Sequence, residues 1–155
     1  MVAGPHVDHV GDAADLSRFP DETFQELYAS HVLEHFDYVR QLIPVLKEWQ
    51  RILRNGGTIY VSVPDLETLA EMILDDQLSF RDRFYVMRMM FGGHSNEFDF
   101  HHVSFTKEFL RHYLHTAGFR NAQRVETFGI FRDTSGRLYH NRLISLNMKA
   151  KKFSK

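Results

Sequence analysis

The sequence predicts an α/β domain whose sheet is mostly parallel and ends in an antiparallel C-terminal hairpin. Two observations carry that prediction. Strand-like segments alternate with amphipathic helical ones, and the last two strand-like segments succeed each other across a turn with no helix between them. At 155 residues, 43% apolar and 25% charged, the chain has the size and composition of one core-forming domain, expected over residues 1–150 with a basic tail at 151–155.

Val7 to Val10 reads as a short strand, stopped by Gly11-Asp12 and followed by a polar loop through Pro20-Asp21. Phe24 to Ser30 mixes aromatic, apolar and small residues without helical period, and reads as a strand running into His31-Val32-Leu33-Glu34-His35. Val39, Leu42, Ile43, Leu46, Trp49 and Leu53 then follow at three-and-four spacing, one apolar face of a helix. Pro44 lacks the N–H an interior turn needs, so it belongs in the first turn, and the regular part starts near Ile43. Asn55-Gly56-Gly57 supplies the stop, because glycine takes the left-handed backbone without steric cost.

Thr58 to Val63 puts Ile59, Val61 and Val63 on one face of a strand that Pro64 closes. Asp65 caps a helix with Leu66, Leu69, Ala70, Ile73 and Leu74 on one stripe. A second helix, Phe80 to Phe91, aligns Phe80, Phe84, Met87 and Phe91, opens on a Ser79–Asp82 capping box and stops at Gly92-Gly93. His94 to Ser104 has no period and reads as a loop. Thr106 caps a helix whose Phe109, Leu110, Tyr113, Leu114 and Ala117 face inward until Gly118 stops it. Gln123 to Phe128 and Leu143 to Lys149 form the closing strand pair, joined through a turn containing Asp133 and Ser135-Gly136.

Composition narrows the function classes. Fourteen Phe, six Tyr and one Trp lead us to expect that rings fill much of the core. The absence of cysteine excludes a disulfide scaffold, a Cys-ligated zinc site and a thiol nucleophile, with cytoplasmic location as the default. No cationic start precedes an apolar run, and no stretch approaches the roughly 18 apolar residues of a membrane span, so neither secretion nor membrane partnership is expected. Residues 1–37 hold eight acidic residues against Arg18 alone, while Lys149, Lys151, Lys152 and Lys155 make the tail basic. That asymmetry argues against nucleic acid as a partner.

Ligands of open α/β sheets sit at the carboxyl ends of the strands. Here those ends are Gly11 to Asp15, Ser30 to His35 and Pro64-Asp65, three segments expected to share one crevice. His31 through His35 matches H-x-x-E-H, the inverted zinc-protease signature, which needs both histidines on one helical face. The motif follows a strand directly, however, so the two need not share a face. A zinc hydrolase is disfavoured, no metal is expected, and packing and hydrogen bonding at a strand-helix junction is the plainer reading. His94, Asp99, His101 and His102 lie among Phe98, Phe100 and Phe105 in a loop of lid-like composition. There His101 or His102 can accept a proton from a substrate hydroxyl or amine, or the loop can simply be latched by hydrogen bonds. Met87, Met89 and Met90 read as core and surface.

Gly11-Asp12-Ala13-Ala14-Asp15-Leu16, Phe19-Pro20-Asp21, Tyr28 through His35, Leu46-Lys47-Glu48, Arg51 through Gly57 and Val63-Pro64-Asp65 occur in the order found in class I S-adenosylmethionine-dependent methyltransferases of the type 11 group. The chain resembles that family over nearly its whole length. It is most similar to small bacterial predicted methyltransferases, often associated with polysaccharide genes, which carry a His-containing loop before a Thr-Lys/Glu-Glu helix and an Ala-Gly-Phe. Those are His101-His102, Thr106-Lys107-Glu108 and Ala117-Gly118-Phe119 here.

The resemblance implies a Rossmann-like methyltransferase sheet, S-adenosylmethionine as cofactor, and transfer of a methyl group to a small-molecule or saccharide acceptor. It also implies roles. Gly11, Asp12 and Ala13 fall on the adenine side, with the Asp12 carboxylate accepting from the amino group and Ala13 presenting backbone beside the ring. Ser30 and His31 contact the methionine part, and Leu33 and His35 line the path to the acceptor. His35, His101 or Asp65 would remove a proton from an acceptor hydroxyl, since alignment and proton removal are what such a transfer needs.

The family's glycine-rich loop and ribose-binding acidic residue would precede Val7. Only six residues do, whereas a strand-helix-strand unit needs about 30, so the sheet is expected to be N-terminally truncated and cofactor binding weakened. Phe24 to Ser30 then exposes a parallel edge, a template for association. Two copies are expected to pair or swap there as a homodimer, unless Val7 to Val10 moves in to cover it. The alternative function is a non-catalytic, methyltransferase-like interaction module that dimerises through that edge.

Overall fold

The computed structural model describes residues 7–153. Its sheet has the order β1-β2-β6-β3, formed by β1 (Phe24–Ser30), β2 (Leu53–Pro64), β6 (Ser145–Lys152) and β3 (Phe119–Val125). β1 and β2 run parallel, while β6 lies between β2 and β3 and is antiparallel to both. The Rossmann-like α/β class and the antiparallel C-terminal pair are therefore present, with the last strand inserted into the sheet. The helices are α1 (Leu42–Ile52), α2 (Leu66–Leu74), α3 (Phe80–Phe91) and α4 (Lys107–Thr116), and a short hairpin joins β4 (Leu138–Tyr139) to β5 (Arg142–Leu143).

One face of the sheet carries the main core. Ile59, Val61 and Val63 of β2 stand beside Leu146, Met148 and Ala150 of β6, under Leu42, Val45, Leu46 and Trp49 of α1 and Leu110 and Leu114 of α4. The period-two pattern of β2 is what turns those three residues inward together. A smaller core of Leu69, Met72, Leu78, Val86 and Ile144 holds α2 and α3 beyond the strand ends. The opposite face of the sheet carries Tyr28 and Tyr60, whose rings meet Phe128 edge-on at 5.5 Å each. Beside them, Thr58, Gln123, Lys149 and Lys151 line an open hollow of about 450 Å³.

Several expectations are corrected. Val7 to Val10 forms no strand: Val7 and Val10 are exposed, and among the described residues β1 pairs only with β2, so nothing from this segment covers the β1 edge. A strand needs a neighbour for its backbone groups, and none stands beside this one. Asn55-Gly56-Gly57 is not the stop of α1, which ends at Ile52; the three residues lie inside an irregular start of β2. There a side chain on Gly57 would meet the carbonyls of Arg54 and Gln25 at 2.8 and 2.9 Å, so glycine is needed for strand approach. β3 begins immediately after Gly118 because Phe119 is buried, and β6 extends to Lys152.

The aromatic core is also overturned. Phe105 and Phe119 are fully buried and Trp49 nearly so, but Phe80, Phe84, Phe91, Phe98, Phe100, Phe109 and Phe131 are exposed. The Phe80–Phe84–Phe91 stripe of α3 faces outward, because Val86 with Met89 and Met90 packs on the small core instead. In α2 the inward residues are Leu69 and Met72, and Leu74 is exposed. The caps stand as expected: Ser79 and Thr106 accept from the backbone N–H of Asp82 and Phe109. No helix among the described residues is long and apolar enough to cross a membrane.

Candidate functional site at the carboxyl ends of β1 and β2

The parallel pairing of β1 with β2 sets Ser30 opposite Ser62 and brings the turn after β1 beside Pro64. His31 begins that turn with φ +53°, and its N–H donates to the Ser62 carbonyl at 2.8 Å. A left-handed backbone at a non-glycine residue costs about 1 kcal/mol or more and is held only where the surroundings fix it. Leu33–His35 continues as a single 3-10 turn, with Leu33 and Glu34 buried and His35 half-buried. The H-x-x-E-H residues thus do not form the helical face a zinc protease requires. His31 turns toward β6 and His35 toward the histidine loop.

The loop between α3 and α4 reaches back over this turn. The His101 N–H donates to the Phe91 carbonyl at 3.0 Å and the His102 N–H to the Glu34 carbonyl at 2.7 Å. Gly92, at φ +89°, makes the close approach possible: a Cβ there would lie 2.2 Å from the Asp99 carbonyl oxygen. The His101 and His35 rings meet edge-on at 4.9 Å. Each commits Nδ1 to a backbone carbonyl, His35 to Phe100 at 3.1 Å and His101 to Met90 at 3.3 Å. A carbonyl only accepts, so Nδ1 carries the proton on both rings, and in the neutral form the lone pair is on Nε2. Burial pushes His101 below the ordinary histidine value, against the opposing pull of Glu34. Asp99, whose carboxylate accepts from Ser95 N and Oγ at 3.1 and 2.6 Å, latches the loop, while His102 is exposed and His94 stacks on Phe100.

Glu34 is the group the sequence reading missed. Its carboxylate is fully buried, and neither oxygen has a hydrogen-bond partner. His31 Nδ1 approaches Oε1 to 3.1 Å without the alignment of a hydrogen bond. The Ser145 hydroxyl donates to the Thr134 carbonyl at 2.9 Å, so it accepts from His31 Nε2–H at 3.0 Å. A neutral His31 therefore offers Glu34 a lone pair and no donor. The signal for it in the sequence is the Glu inside H-x-x-E-H.

Asp65, expected as an alternative base, has a structural task. It is fully buried; Oδ1 accepts from Glu67 N at 3.2 Å, and Oδ2 accepts from the Thr68 hydroxyl at 3.1 Å and from Arg124 Nη2 at 2.7 Å. The partner Arg124 was not foreseen, since one arginine on a strand carries no signal of what it faces.

The three expected strand ends do not share one crevice. His31, Pro64 and His101 line a cavity of about 100 Å³ with Met89, Thr134, Arg137 and Ile144, and Asp12 is not among its walls. Asp12 and Gly11 are exposed; Asp12 Oδ1 accepts from Ala14 N at 2.9 Å, and the Ala13 carbonyl accepts from Trp49 Nε1 at 2.7 Å, tying this loop to α1. On the Ser30 side of the sheet, Tyr28 donates its hydroxyl to Asp133 Oδ2 at 2.8 Å. Burial raises the Tyr28 pKa, with Asp133 adding to the effect. For Asp133 burial acts upward too, but the hydrogen bonds from Ser135 and Tyr28 outweigh it and hold the carboxyl below its ordinary value. The turn through Asp133 and Ser135 thus folds over the end of β1, where the resemblance puts the methionine part of the cofactor. A drug-sized ligand needs about 300 Å³ or more, so the cavity at His31, Pro64 and His101 as arranged does not enclose S-adenosylmethionine.

Residues 3–61, running through β1 and α1 into β2, match the family model described as a methyltransferase domain, type 11. No curated protein sequence matches this chain. Among solved structures it is similar to a "possible exported protein" from Bordetella parapertussis, with a TM-score of 0.61 and 14% identity over 93% of this chain and 43% of that one. It is also similar to an S-adenosylmethionine-dependent methyltransferase from Archaeoglobus fulgidus, with a TM-score of 0.57 and 20% identity over 92% and 66% of the two chains. Human N-acetylserotonin methyltransferase, solved in complex with S-adenosylmethionine, gives a TM-score of 0.57 and 17% identity over 94% of this chain and 33% of its own. At these identities the likeness is one of fold. This methyltransferase-like chain spans 33 to 66% of the length of those structures.

Proposed function

We propose that this chain supplies the acceptor-side wall of an S-adenosylmethionine-dependent methyltransferase acting on a small-molecule or saccharide hydroxyl or amine. The observation that carries the reading is the convergence of His31, Pro64 and His101 at the carboxyl ends of two adjacent parallel strands, the place where open α/β sheets bind ligands. His35 and His101, whose Nε2 lone pairs are left free, are the groups that orient an acceptor there. Asp65 is left out because both its oxygens are engaged. The cofactor-side residues Gly11, Asp12, Ala13, Ser30, His31 and Leu33 remain part of the proposal. It requires the Asp133–Ser135 turn to leave Ser30.

Isothermal calorimetry with S-adenosylhomocysteine, the demethylated product, tests this on the full chain. Saturable binding at one equivalent supports it, and no binding overturns it. A second reading, a non-catalytic module pairing as a homodimer, is favoured by the edge of β1, since among the described residues β1 pairs on one side only. Light scattering that finds a stable dimer without cofactor binding supports the second reading, and a strict monomer removes it.

A further inference from the structure

We propose that Glu34, His35 and His101 form a binding site for one first-row divalent cation of the zinc type. One donor atom from each lies within 4.8 Å of the other two. Bonds of about 2.0–2.2 Å set neighbouring ligand atoms roughly 3–3.5 Å apart, so modest side-chain torsions close the cluster onto an ion.

Two further observations point to a ligand independently of that spacing. The Glu34 carboxylate has no accessible surface and no hydrogen-bond donor on either oxygen. A buried, unsatisfied carboxylate is costly, and a cation is one of the few things that compensates it. The imidazoles, in turn, are prepared as ligands are. Carbonyls of Phe100 and Met90 hold Nδ1 of His35 and His101, which fixes the tautomer with Nε2 free and stiffens both rings. The backbone on either side of His101 is pinned as well, by the Phe91 and Glu34 carbonyls. Two imidazoles and one carboxylate suit zinc-like ions, whereas magnesium favours an all-oxygen shell. Three protein ligands leave a coordination position open for water or an oxygen donor. An ion here takes the free ring nitrogens of His35 and His101 that the proposed acceptor role uses, so an acceptor would then bind at the ion's open position; the cation titration reads the site whether or not the chain binds the nucleoside.

The test is titration of the metal-free full chain with Co2+, read by its visible ligand-field absorption, and with Zn2+ in competition, with Mg2+ as a comparison. One tight equivalent is expected, displaced by Zn2+ and not by Mg2+. Loss of an outer hydrogen bond to a metal ligand already costs about 10–100-fold, so Glu34→Gln and His101→Asn, which remove ligands, are each expected to weaken binding by about a hundredfold or more. His94→Asn, on the same loop but outside the cluster, is expected to leave it unchanged. On the unaltered chain, Zn2+ is expected to shift the imidazole nitrogen resonances of His35 and His101, a readout that does not depend on the variants folding. Absence of saturable binding overturns the proposal, as does binding that survives both ligand substitutions.

Discussion

Asp65 and Arg124 join the sheet to the helices that frame the site, and separating them is the most exacting check on how this end of the fold is held. Asp65 has no exposed surface, whereas the Arg124 side chain is 37% exposed. Arg124→Ala leaves the carboxylate buried with a peptide N–H from Glu67 and the hydroxyl of Thr68. Removing one partner of a fully buried pair costs about 3–5 kcal/mol; solvent on the arginine side and the two remaining donors reduce the expected loss to about 2–3 kcal/mol. Asp65→Asn keeps a capping oxygen and discards the charge, at an expected cost of about 1 kcal/mol. The double variant is expected to be less destabilised than the sum of the two, by about 1–2 kcal/mol, because no unpaired carboxylate is left. Urea unfolding of the four proteins, with the slope checked for constancy, measures the cycle. An Arg124→Ala protein within about 0.5 kcal/mol of the parent, or a cycle that closes additively, refutes the reasoning.

Two further outcomes follow from single contacts. Gly92→Ala puts a Cβ 2.2 Å from the Asp99 carbonyl at a backbone φ of +89°, so a loss of about 2–3 kcal/mol in thermal stability is expected, with amide exchange accelerated around His101. Asp82 is held below the usual carboxylate range chiefly by the Ser79 hydroxyl, then by Tyr139 and His140, which ties α3 to the β4–β5 hairpin. A depressed folded value means that this stabilisation is present above the unfolded value of 3.8 and lost as pH falls through the folded one. Asp82→Asn is therefore expected to unfold at lower urea than the parent near neutrality, with the gap narrowing only below pH 3.8. A gap that closes at higher pH contradicts the assignment.

Elements whose signals were local proved legible. The N-caps at Ser79 and Thr106 and the alternation in Thr58 to Val63 each specify their structure within a few residues. Elements that depend on a neighbour were not. Val7 to Val10 has strand composition and no strand to pair with. The Phe80–Phe84–Phe91 stripe has core composition, but the face of α3 that packs is chosen by α2 and Ile144, which the helix sequence does not encode. The β4–β5 hairpin turns at His140-Asn141, both at positive φ, and only the Asn hints at it.

The site shows the same division. Placement of His31 and His35 near the end of β1 followed from topology, because residues that close a parallel strand emerge at the ligand-binding end, and His101 reaches them from the α3–α4 loop. What each side chain then meets did not follow. Asp65 turned out to face Arg124, Ser30 lies beneath the Asp133–Ser135 turn, and Glu34 is buried without a donor, all through contacts between segments far apart in the chain. The separation of Asp12 from His31 and Pro64 likewise depends on Trp49 and Arg51 drawing the preceding loop onto α1.

The central claim is that ligand chemistry resides at the carboxyl ends of β1 and β2. Amide and side-chain NMR spectra of the full chain, recorded during titration with S-adenosylhomocysteine, address it residue by residue. The account predicts shifts concentrated at Ser30, His31, Leu33 and His101, with the Asp133–Ser135 turn moving as it releases Ser30. Spectra that do not change, or changes confined to the exposed face of α3 or the Lys149–Lys151 side of the sheet, contradict it.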